Sequence, residues 1–162
     1  FVKYHRLTHE QFTELQEEFT IFLATQGLDH VRWEQIKTNQ TQQLDALLDL
    51  FSDIVWDKIV GECDFLEYSV SDQLFLFNTS DAESARAIVV KVSNKVIDLT
   101  SSIGFQWVLN HLDSNQISFF KGSKAYGSSK NEFVYSYLKK GAIRTEGERF
   151  KALETYFSNS AK

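Results

Sequence analysis

The stretch Leu44–Val60, LDALLDLFSDIVWDKIV, decides how the chain is read. At helical pitch Leu44, Leu47, Leu48, Phe51, Ile54, Val55 and Ile59 share one broad face. Asp45, Asp49, Asp53 and Asp57 recur every fourth residue on the other side. This is a long helix, apolar in front and acidic behind, and other helices and a sheet are expected to pack against it. Trp56 interrupts the acidic side. It reads as a second packing layer, because Trp is highly buried on average, or as an anchor for a partner, because Trp is enriched at interface hot spots.

Like charges at i, i+4 cost about 0.2–0.5 kcal/mol per pair, so the aspartate ladder invites a counterion. Carboxylate oxygens suit Mg²⁺ or Ca²⁺. The ladder drifts around the helix, however, so its four members cannot converge on one ion, and no Glu-x-x-His pair supports a bundle metal site. The reading is a solvated face or a basic partner, with no metal. Trp56, Asp49, Asp53 and Asp57 are the candidate interaction residues.

Working back toward the amino terminus, Phe1–Leu7 reads as extended. Thr8-His9-Glu10-Gln11 fits a capping box, with Leu7 and Phe12 at the staple positions. One helix is expected from there to Gly27, burying Phe12, Leu15, Phe19 and Phe22. Asp29 caps a second helix with Val31, Trp33 and Ile36, and the Leu44–Val60 helix is the third.

Beyond Gly61 the texture changes to strands. Cys63–Tyr68, Gln73–Asn78, Ala85–Val92 and Val96–Leu99 are rich in Phe, Val, Ile and Leu and are separated by short polar turns. Such short links join antiparallel neighbours, which predicts a four-stranded meander. Thr100–Asp113 reads as a helix burying Ile103, Trp107, Val108 and Leu112. Ile117–Lys121 reads as a fifth strand. A helix capped by Ser128 or Ser129 runs to Gly141, and Thr145-Glu146-Gly147-Glu148 opens a last one. The expectation is a single α+β domain over residues 1–162: three amino-terminal helices, a mainly antiparallel sheet of about five strands, and carboxy-terminal helices packed on it.

The chain has 162 residues, 43% hydrophobic and 24% charged, as expected of a globular protein with a sizeable core. No apolar run approaches a membrane span, and the amino-terminal residues show no signal-peptide core. The lone Cys63 forms no internal disulfide. These features read as cytoplasmic. There is no Met, even at position 1, which points to a processed or trimmed start. Net charge is −5 but polarised: Thr8–Glu62 has 11 acidic and 3 basic residues, and Lys121–Lys151 has 8 basic and 3 acidic. The overall acidity argues against broad nucleic-acid binding and leaves room for a local basic face.

The segments YHRLTHEQFTELQEEFTIFLATQGL, FSDIVWDKIV, FLEY and SKAYGSSK, in this order, resemble a small family of uncharacterised proteins from Bacteroidota. The resemblance runs from Tyr4 to about Leu153. It implies a bacterial, intracellular setting and carries no activity, cofactor or site residue with it.

The most site-like stretch is Lys121–Lys130, KGSKAYGSSK, between a strand and a helix. Gly122 and Gly127 allow close approach to backbone. Ser123, Ser128 and Ser129 offer hydroxyls, and Lys121, Lys124 and Lys130 offer charge. A helix amino terminus favours anions. The phosphate-loop pattern is not met, because Ser128 stands where Lys is required. The stretch is a candidate anion-binding site or an ordinary polar turn with a Ser cap.

No nucleophile elbow, C-x-x-C pair or H-E-x-x-H appears. A nucleophilic Cys63 paired with distant His111 has no local signature. The function expected is a non-catalytic interaction module with a protein partner or a second copy, and with no cofactor. The rivals are a small enzyme or binder acting on a phosphorylated or nucleotide ligand at residues 121–130, and a nucleic-acid-associated factor using Lys124, Lys139, Lys140, Arg144, Arg149 and Lys151.

Overall fold

The computed structural model describes residues 3–160. Phe1 and Val2, the start of the expected extended segment, lie outside the described residues. The chain divides into two compact units, Phe1–Ile59 and Val60–Lys162.

The first unit is helical: α1 (His9–Glu14), α2 (Gln16–Thr25), α3 (His30–Asn39) and most of α4 (Thr41–Gly61). The capping box forms as expected. Gln11 N donates to Thr8 Oγ1, and Thr8 N donates to the Gln11 side chain. Asp29 caps α3 by accepting from Arg32 N.

The helix expected from Thr8 to Gly27 is two helices, broken at Leu15 (φ −101°, ψ 26°), so four amino-terminal helices replace the three expected. Neither Gly nor Pro causes the break. It lets two successive rings meet the same residue of α4, with Phe12 5.9 Å and Phe19 5.0 Å from Phe51. Packing thus overrides helical propensity. Leu7, Phe22, Leu23, Ile36, Leu47 and Phe51 form the buried cluster. Ile54, assigned to the apolar stripe, is exposed, while Ser52 and Asp53 are buried.

The second unit is a five-stranded antiparallel sheet in the order β4-β3-β2-β1-β5. The strands are β1 (Phe65–Val70), β2 (Gln73–Asn78), β3 (Ser84–Val92), β4 (Ile117–Ala125) and β5 (Ile143–Arg144). The helices are α5 (Ser102–Asn110), α6 (Lys130–Lys139) and α7 (Glu148–Ser160). The α+β class holds, with helices before and after the sheet.

The strand expected at Val96–Leu99 is a turn. The Asn94 side chain accepts from Val96 N, and Asp98 accepts from Thr100 N and Thr100 Oγ1, so these side chains compete with ladder pairing. The fourth strand of the meander is instead β4, reached through α5. It extends past Lys121 to Ala125, so half of the expected loop is strand. In α5 Ile103 is exposed, and Phe105 and Val108 turn inward.

Cross-strand partners share a face of the sheet. On one face Leu74, Leu76, Ile88, Val90, Val92 and Ile117 pack with Phe105 and Val108 of α5 and Phe150 and Leu153 of α7. The opposite face meets α6, where Phe133 and Tyr137 lie 5.4 and 4.8 Å from Phe77. Among the described residues no helix is long and apolar enough to cross a membrane.

Candidate functional site

The aspartate ladder is answered within the first unit by the segment just before α1. Asp53 accepts from Lys3 N and Tyr4 N, each at 3.0 Å. Lys3 Nζ reaches Asp57 at 3.0 Å, and Tyr4 donates its hydroxyl to the same carboxylate at 2.5 Å. Arg6 spans Asp49 at 2.7 Å and Asp45 at 3.2 Å, and its own pKa is raised by that bond to Asp49. Leu7 N donates to Ser52 Oγ. Lys3 and Tyr4 thus answer Asp53 and Asp57, and Arg6 answers Asp45 and Asp49, so the counterion is the chain itself. Trp56 is half-buried, its ring 4.9 Å from His5 in an edge contact and 6.3 Å from Tyr4.

The residues of the candidate anion stretch do not gather around one point. Alternation along β4 puts Lys121 and Ser123 on the α7 face, paired with Ile88 and Arg86, and Lys124 on the α6 face, paired with Ala85. Lys121 Nζ lies 4.6 Å from the Phe157 ring. Ser129 caps α6 by accepting from Glu132 N, and Ser128 donates to the Glu132 carboxylate. Lys130 donates to Gly61 O at 3.1 Å. Gly127 takes φ +87°, the left-handed turn that leads into the cap. The amino terminus of α6 is therefore already met by Ser129 and Glu132. One cleft of the second unit is bordered by Cys63, Arg144 and Lys151, another by Arg86, Lys121 and Phe157. Neither includes Lys124 or Ser128.

What Lys124 joins is a feature the linear sequence does not display. Tyr68 of β1 pairs with Phe75 of β2, Phe75 with Val89 of β3, and Val89 with Phe120 of β4. These form one transverse row on the α6 face. With strands about 4.8 Å apart, the row spans about 14 Å. Phe120 is 57% exposed, and Tyr68, Phe75 and Val89 are half-buried.

Polar groups stand on both sides of the row, directly next to it on one side and beyond the Leu66–Phe77–Ala87–Gly122 row on the other. The next row outward carries Val70, Gln73, Lys91 and Ser118. On the other side Lys124 Nζ stands 3.5 Å from Tyr137 Oη and Lys140 Nζ 4.7 Å from the Tyr137 ring, and that ring is 6.1 Å from Tyr68. Among the described strand residues this face carries Lys91, Lys124 and Arg144 and no Asp or Glu. The signal in the sequence was QLFLFN and ISFFK, apolar at both parities, which means a sheet with two apolar faces. Which of those positions stay open depends on where α6 ends.

Other ionisable groups have structural partners. Glu67 is buried on the α7 face, 3.5 Å from Arg149, and burial raises its pKa against the pull of that cation. Burial likewise pushes the Cys63 thiol up. His111 Nδ1 is 2.7 Å from Trp107 O, and its ring stacks on Trp107.

One family matches residues 2–158, nearly the whole chain, and is described as a family of unknown function. The chain belongs to that family, DUF6495. No curated protein and no solved structure matches it.

Proposed function

We propose that the protein is a non-catalytic interaction module of the bacterial cytoplasm, acting as one domain over residues 1–162, and that it holds an anionic partner on the open half of the α6 face. The observation that carries this reading is the Tyr68–Phe75–Val89–Phe120 row, with Lys91 one row away on one side and Lys124 two rows away on the other, on a face whose described strand residues include no carboxylate. Apolar rings within a cationic border are what a binding surface needs, area from the rings and charge steering from the border. Supporting the non-catalytic half of the reading, the aspartates of α4 and the imidazole of His111 are engaged in holding the fold. The resemblance to Bacteroidota proteins and the single cysteine support the compartment.

The test uses phosphocellulose, a plain anionic surface. A protein of net charge −5 is repelled from it on average, so retention at low salt requires a local cationic face. The expected result is retention of the wild type and flow-through of the Lys91→Glu/Lys124→Glu variant. Flow-through of the wild type, or equal retention of both, refutes the reading.

A further inference from the structure

Resting on that reading of the surface, we infer that the partner is single-stranded nucleic acid, with bases lying on the Tyr68–Phe75–Phe120 row and phosphates held by Lys91, Lys124 and Lys140. The first argument is the ring geometry. The row crosses four adjacent strands, and its outermost ring, Phe120, is 57% exposed. A four-stranded sheet with aromatic rings on its open face can stack about two or three unpaired bases. Every base has a π-face, so such stacking needs no particular sequence.

The second argument is charge. Cations stand on both sides of the row, Lys91 one row to one side and Lys124 two rows to the other, and Lys140 Nζ lies 4.7 Å from the Tyr137 ring that Lys124 also reaches. A strand whose bases lie on the rings and which runs along the β-strand direction therefore meets an ammonium group on either side of the row. The third is space. Gly122 follows Phe120 on the same face of β4, and a Cβ placed on it would meet nothing within 4 Å. A base can lie flat against the backbone there, between Phe120 and Lys124. An acidic peptide would satisfy the lysines but would leave the exposed ring without a stacking partner. A duplex keeps its base faces inside its own stack.

The experiment is fluorescence anisotropy of labelled ten-nucleotide single-stranded RNA and DNA, the corresponding duplexes, and poly-glutamate, each titrated with the full chain at low and moderate salt. The inference expects saturable binding of the single strands, weaker binding of the duplexes, and affinity that falls with salt. Phe120→Ala is expected to weaken binding about tenfold, the loss of one stacked base, and Phe120→Trp to restore it, which a purely structural role would not do. The exposure of Phe120 makes both variants compatible with the fold, and circular dichroism checks this. Lys91→Ala/Lys124→Ala is expected to flatten the salt dependence by about 1.4 in log–log slope, two phosphate contacts on a single strand.

The inference is overturned if single strands show no saturable binding up to about 100 µM, the weak end of non-specific association, or if they bind Phe120→Ala as well as wild type. If poly-glutamate binds through Lys91 and Lys124 while the oligonucleotides do not, the anionic-partner reading stands and the nucleic-acid inference falls. If neither binds and phosphocellulose fails to retain the protein, both fall.

Discussion

Asp53→Ala should be the most damaging change in the acidic ladder, although all four aspartates look alike in sequence. Asp53 is 8% exposed and accepts two backbone N–H groups, from Lys3 and Tyr4, at 3.0 Å each. Hydrogen bonds to a charged group contribute about 1.5–3 kcal/mol each. Lys3 is exposed, so water can replace its bond. Tyr4 is buried, and its N–H would lose its acceptor away from solvent. The expected loss is therefore about 1–3 kcal/mol, the cost of one buried unsatisfied donor. By contrast Arg6 and Asp45 meet at 3.2 Å with side chains 39% and 51% exposed. Removing Asp45 should cost about 0–1 kcal/mol. The assay is urea unfolding of both variants followed by Trp fluorescence, with the slope against denaturant compared to confirm that stability alone has changed. Moderate salt should weaken the Asp45 effect and leave most of the Asp53 effect, because buried interactions are poorly screened. If Asp53→Ala is no worse than Asp45→Ala, the strap is not held as described.

Three further outcomes are expected. Glu67 has a raised pKa in the fold, so its contribution to stability is full below the unfolded pKa and is lost as pH rises through the folded value. Glu67→Gln should therefore gain on wild type in urea midpoint between pH 4 and pH 8, and a gap independent of pH would contradict this. Gly104→Ala would place a Cβ 1.9 Å from Asp98 O, a backbone atom with little room to move. It should destabilise by about 3 kcal/mol or more, seen as a large drop in Tm. Ser129→Ala removes the cap on α6 and should cost about 1 kcal/mol, with Ser129→Asp recovering most of it, as read by chemical denaturation.

Local chemistry alone determined much of the fold. The Thr8 and Asp29 caps, the long helix ending near Gly61, the strand Gln73–Asn78 and a serine cap at 128 or 129, which the structure puts at Ser129, are all written in contiguous residues, because each depends on side chains within one turn or one strand. The α+β class follows from their order. Where reading by local pattern failed, a short-range competitor or a distant partner had won. Asn94 and Asp98 turned an apolar segment away from the sheet, and Phe51 drew Phe12 and Phe19 into a broken helix.

Only the tertiary structure decided what the charged residues do. The i, i+4 spacing of the aspartates announced an unmet charge. That Lys3, Tyr4 and Arg6 meet it depends on the segment before α1 lying along a helix 39 to 53 positions away in the chain. Likewise Lys121 and Lys124 look like one cluster in sequence, but β pairing sends them to opposite faces of the sheet. Tyr68, Phe75 and Phe120, scattered over the chain, become one surface for the same reason. Side chains alternate along a strand, and strand register, which no local pattern encodes, chooses their neighbours.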